Sequence, residues 1–124
     1  MSKKIFIDAF YNQFGDFVEQ LQTVFPHDTD FPTYASGLRI MRMTNPMYIV
    51  KQFQASVLPF EESIRAKKED FFLTYDFSQL GAEGWLMEVI AKLKGMWSTL
   101  SENNKKCIWD YINLLLDIAK RCVD

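Results

Sequence analysis

One histidine, two cysteines, four prolines and five glycines in 124 residues make this a chain defined first by what it has little of. With His27 alone, and no cysteine beside it, a zinc site of ordinary composition has no local ligand set. Cys107 and Cys122 fall on one expected helix, about 22 Å apart along its axis, so they cannot pair with each other. Both read as reduced core residues, which fits a cytosolic or nuclear compartment. No run approaches the ~18 apolar residues of a membrane span. Nor does the opening stretch read as a secretory leader, since Asp8, Asn12 and Asp16 interrupt any apolar core. Neither sign of charge dominates. Sixteen acidic against 14 basic residues give a net charge of −2, which leaves no electrostatic footprint for nucleic acid. Linkers, repeats and low-complexity tracts are missing too, which predicts one domain over residues 1–124.

What is present is apolar and periodic. Hydrophobic residues make up 48% of the chain and aromatics 15%, with 11 Phe. Along residues 4–25, Phe10, Phe14, Phe17, Val18 and Leu21 recur at helical spacing, and Pro26 closes the helix. A shorter helix carrying Tyr34, Leu38 and Met41 follows, with Asp30 as its expected N-cap. Asn45-Pro46 opens a third, with Ile49, Val50, Phe53 and Val57 on one face, and Pro59 kinks or restarts it. Residues 67–80 lack a sustained period and read as a short helical turn around Asp70-Phe71-Phe72 and a loop. A helix over about 82–100 and a last one from Ser101 to about Cys122 complete the chain. In the last, Lys106, Asp110, Asn113, Asp117 and Lys120-Arg121 form one thin polar stripe on an otherwise apolar helix. The expectation is an all-α fold: a compact single-domain bundle of five to six helices, with short connections and one aromatic-rich loop.

Chemistry is hard to place on this frame. Phosphate loops, dinucleotide fingerprints and nucleophile elbows are absent, and Gly81-Ala82-Glu83-Gly84 lacks the third glycine and the strand a nucleotide site needs. Asp110 and Asp117 share a helix face about 10 Å apart, but each has a basic residue four positions away, which makes them a salt-bridged surface. No catalytic, cofactor or metal residue is assigned, and a non-enzymatic protein is expected.

Binding is a better question. Phe71, Phe72, Tyr75 and Phe77 are four aromatics in seven residues, and they fit either an anchor for a partner protein or a plug closing the end of the bundle. Arg39 and Arg42, three apart on the second helix, fit either a grip on a partner's carboxylates or an ordinary solvated pair. Gly84, Ala91 and Gly95 form a strip of small residues. Because glycine inside a helix costs about 1 kcal/mol against alanine, the strip predicts close approach of another helix, internal or from a second subunit.

A resemblance adds to this. Asn45-Pro46, Ile49-Val50-Lys51, Phe53 and Val57-Leu58-Pro59-Phe60, then Asp70-Phe71-Phe72 and Tyr75-Asp76-Phe77-Ser78, make the chain similar to small helical proteins encoded by large double-stranded DNA viruses of algae and protists. The Asn-Trp-Gly-Arg signature of viral Bcl-2-type apoptosis regulators is missing. The resemblance implies an accessory or adaptor protein acting on a viral or host protein in the cytoplasm or nucleus of an infected cell. The alternative it allows is a minor virion component that cements capsid or core proteins. No cofactor, nucleic acid or membrane is expected as a partner. Self-association into a homo-oligomer stays open.

Overall fold

Phe10, Phe14, Phe17, Val18 and Leu21 stand three or four residues apart, so one helix presents them all to the same side, and all five are buried. The computed structural model describes residues 3–80 and 84–122. Among them there is no strand, and five helices reach twelve residues or more. These are α1 (Lys3–Val24), α2 (Asp30–Thr44), α3 (Pro46–Val57), α6 (Gly84–Met96) and α7 (Glu102–Arg121). Two short helices, α4 (Glu61–Arg65) and α5 (Glu69–Thr74), lie between α3 and α6. The fold is an all-α bundle. No described helix is long and apolar enough to cross a membrane.

Local chemistry explains the breaks. Pro46 occupies the first turn of α3, where its missing N–H is no loss. Pro59 sits in a single 3₁₀ turn, Leu58–Phe60, and the chain restarts as α4 immediately after it. Ser101 caps α7 by accepting a hydrogen bond from the Asn104 backbone N–H at 3.1 Å. Asp30 is not a cap but the first residue of α2, and its carboxylate bonds Lys92 of α6 instead, at 2.8 Å. The expected start of the fifth long helix at Ala82 lies outside the described residues. That helix ends at Met96, and Trp97–Thr99 continue as a 3₁₀ turn.

The centre of the molecule is the α1–α7 pair, the most extensive packing between any two elements, followed by α1 against α2. Tyr111 of α7 stacks on Phe17 of α1 at 5.2 Å, and the Arg121 guanidinium lies over the Phe6 ring. The two helices therefore run antiparallel. Leu115, Leu116 and Ala119 of α7 are fully buried, but Cys107 is exposed, so only Cys122 is the core thiol expected of both. Position 107 falls at the edge of the polar stripe, near Asp110, rather than inside the apolar face.

That polar stripe faces α4. Arg65 donates to Asp117, to Glu61 at 3.3 Å and to Asn113 at 3.3 Å, and Lys120 reaches Glu61 at 3.0 Å. Lys106 pairs with Asp110 at 3.3 Å, the i,i+4 partner its spacing predicts. Asp117 takes Arg65 across the helix–helix boundary as its ion pair. Arg65 holds the Asp117 carboxyl below its ordinary range, Lys106 does so for Asp110, and Lys120 for Glu61. A carboxyl whose pKa is lower in the folded than in the unfolded chain stabilises the fold above its unfolded value, and that contribution is lost as pH falls through the folded value. Urea midpoints should therefore hold between about pH 7 and 5 and fall from about pH 4 downward.

Small residues play different parts from those expected. A Cβ built on Gly95 meets nothing within 4 Å, so the expected internal close approach along Gly84, Ala91 and Gly95 does not occur. Gly84 is instead a residue with φ of +57°, a conformation that suits glycine at the helix entry. The close approach belongs to Gly37 of α2, where an added Cβ falls 2.6 Å from Trp85 Cδ1. Gly95→Ala should raise stability by about 0.5–1 kcal/mol, since it gains helix propensity and disturbs no neighbour. Thermal melts of the two proteins decide it.

Candidate functional site

The structure places the six candidate binding residues on two separate surfaces. Phe72 and Phe77 are buried, while Phe71 and Tyr75 are half-buried. With Phe60 they form one aromatic cluster in which Phe60 meets Tyr75 at 4.6 Å and Phe71 at 4.7 Å. Two bonds, one from α6 and one from the 3₁₀ turn that follows it, hold this segment down. Lys94 of α6 donates to the Tyr75 carbonyl and lies over the Phe77 ring, and Trp97 donates to the Glu69 carboxylate at the start of α5. Burial lowers the pKa of the Lys94 ammonium, with Asp76 opposing the shift.

Beneath the cluster is an apolar cavity of about 60 Å³, lined by Phe71, Phe72 and Phe77 together with residues of α1, α3, α6 and α7. An engineered cavity of about 150 Å³ is what admits benzene, and ordinary small-molecule pockets run from about 300 Å³. A space of this size is a packing gap, not a substrate pocket. Ser56 lines it, and its fully buried hydroxyl has no hydrogen-bond partner among the described residues.

Arg39 and Arg42 lie on the opposite kind of surface, an open groove of about 400 Å³ between α1 and α2. α2 returns antiparallel along α1, so one wall carries Asp16 and Glu19 and the other Arg39 and Arg42. Arg42 is built into the wall: it donates to Asn12 at 2.9 Å, pairs with Asp8 at 3.4 Å and lies over the Tyr11 ring. Tyr11 in turn donates to the Pro46 carbonyl at 2.6 Å, and burial pushes its hydroxyl up to about 12 against the pull of Arg42. Arg39 is different. Among the described residues it bonds only the Ser36 hydroxyl, at 3.0 Å. Among the described residues no cation pairs with Asp16 or Glu19, and no carboxylate pairs with Arg39.

The groove floor contains Gly15 and Ala35. Gly15 is interior to α1, and a Cβ there would meet nothing within 4 Å. On the α2 rim, one helical turn from Arg39, Met43 is 83% exposed, and Ile40, further round the helix, is 58% exposed. The sequence pattern did not single out Gly15, Asp16, Glu19, Ile40 or Met43. The available signal was a glycine in the middle of the strongest apolar period, beside two aliphatic side chains off the buried face of α2.

His27 is exposed in the turn between α1 and α2. Its neighbours Asp28 and Asp30 both bind Lys92, at 2.6 and 2.8 Å, and hold that ammonium well above its ordinary range. Among the described residues no group of three His, Cys, Asp or Glu side chains is arranged to hold a metal. The fold and the groove thus define an all-α bundle with a polarised, open face between α1 and α2. No family model, curated protein or solved structure matches this chain.

Proposed function

We propose that this protein works by protein–protein contact, and that the α1–α2 face is where a partner sits. The observation that carries the reading is the state of Arg39. The other three arginines of the chain are engaged internally, Arg42 with Asp8, Arg65 with Glu61 and Asp117, and Arg121 over Phe6. Among the described residues Arg39 has neither a carboxylate nor a ring, and the exposed Met43 one turn along adds apolar area that a contact buries. The aromatic cluster supports a different role, since Phe72 and Phe77 are spent on the core. The setting we propose follows the resemblance to viral helical proteins: an accessory or adaptor protein acting on a viral or host protein.

Crosslinked capture of the tagged protein from its native cells tests this, run in parallel with a variant carrying Arg39→Glu and Met43→Glu. Both positions are exposed, so the variant should keep the wild-type melting temperature. The expected result is a protein enriched by the wild type and lost by the variant. Capture that survives the double change removes this face as the contact.

A further inference from the structure

Charge on the α1–α2 face runs in two parallel rows of opposite sign, and that arrangement is complementary to itself. Asn12 on α1 lies opposite Arg42 on α2, joined by the 2.9 Å hydrogen bond. From that level Asp16 is four residues further along α1, about 6 Å, and Arg39 is three residues back along antiparallel α2, about 4.5 Å. The two unpaired charges are therefore level to within about 2 Å, on opposite walls of the groove.

We propose that the occupant of this face is a second copy of this chain, related by a two-fold axis parallel to the two helices. Such an axis preserves height and exchanges walls. α1 of each copy then lies over α2 of the other, and Asp16 and Glu19 of each meet Arg39 of the other, twice per dimer. A two-fold running across the helices stacks α1 on α1 and α2 on α2, carboxylate on carboxylate and guanidinium on guanidinium, which like-charge repulsion disfavours. Of the two ways to pair this face with itself, charge selects the first. Met43, one turn from Arg39 on the same side of α2, becomes covered in the same step. The low floor at Gly15 and Ala35 leaves the walls room to interlock. This inference rests on the protein-contact reading and names the partner within it.

Sedimentation equilibrium over a concentration series tests it, on the wild type, Asp16→Lys, Arg39→Glu, and an equimolar mixture of the two variants. The wild type should dimerise. Each variant alone should dissociate with a Kd raised about tenfold or more, because it faces two like-charge contacts. The mixture should recover the dimer, since each changed position then meets its opposite charge across the axis. Three results overturn the inference: a wild type that stays monomeric up to about 1 mM, a dimer indifferent to both changes, or a mixture that fails to recover. A monomeric wild type whose Arg39→Glu, Met43→Glu variant still loses a captured protein overturns the second copy alone and leaves the protein-contact reading in place.

Discussion

Phe72→Ala should lower stability by about 3–5 kcal/mol, the cost of emptying a well-packed aromatic site. Phe72 packs against Trp97 at 5.2 Å, Trp109 at 6.1 Å and Phe77 at 6.3 Å. Trp109 sits on α7, Trp97 in the 3₁₀ turn that continues α6 and Phe77 in a tied-down turn, so they cannot close over the missing ring. The new void would also merge with the cavity of about 60 Å³ that Phe72 already lines, and a larger residual cavity raises the penalty. Urea unfolding with an unchanged m-value measures the loss cleanly. Phe71→Ala, at a half-buried position, should cost well under half as much. Near-equal melts for wild type and Phe72→Ala would mean that the ring faces solvent. Any loss of partner capture by a Phe72 variant must accordingly be read against its melting curve, because unfolding alone would produce it.

Gly37→Ala should destabilise by about 1–3 kcal/mol, opposite in sign to Gly95→Ala on α6. Alanine at 37 recovers about 1 kcal/mol of helix propensity. Against this, its Cβ would lie 2.6 Å from Trp85 Cδ1 and 2.9 Å from Nε1. Trp85 has little room to retreat. Its ring packs edge-on against Phe14 at 5.1 Å, and its Nε1–H donates to the Tyr34 carbonyl at 2.8 Å. Displacing it forfeits that bond, worth about 1 kcal/mol, and adds overpacking strain of about 1–3 kcal/mol. Calorimetric melts of the two glycine variants side by side give opposite shifts. A stabilised Gly37→Ala would show that Trp85 moves freely and that α2 and α6 are not closely packed.

The contrast between these glycines shows what a sequence carries and what it omits. Periodicity places apolar residues on a helix face, which is why α1, α3 and α7 were foreseeable nearly to the residue, along with the cap at Ser101 and the restart after Pro59. Which helix meets which is a property of the folded molecule. Gly95 has the more suggestive neighbours in sequence, yet Gly37 is the one with an indole across from it. In the same way, Asp30 has the chemistry of an N-cap, but the amine that binds it sits 62 residues away on α6. Arg65 and Asp117 are 52 residues apart, and only the bundle brings them together. The candidate site shares this pattern. Arg39 and Arg42 were visible as a pair, but their difference was not, because it depends on Asp8, Asn12 and Tyr11 of another helix.

The antiparallel pairing of α1 with α7 also has a bearing on synthesis. Phe17 emerges from the ribosome more than ninety residues ahead of Tyr111, the ring that stacks on it. At about 5–20 residues per second, that side of α1 has no native neighbour for several seconds. A chain that stalls before residue 102 would present it bare, a patch of the sort chaperones hold and aggregates recruit. Arrival of α7, rather than growth of the first half of the bundle, is therefore the moment at which this side of α1 is covered.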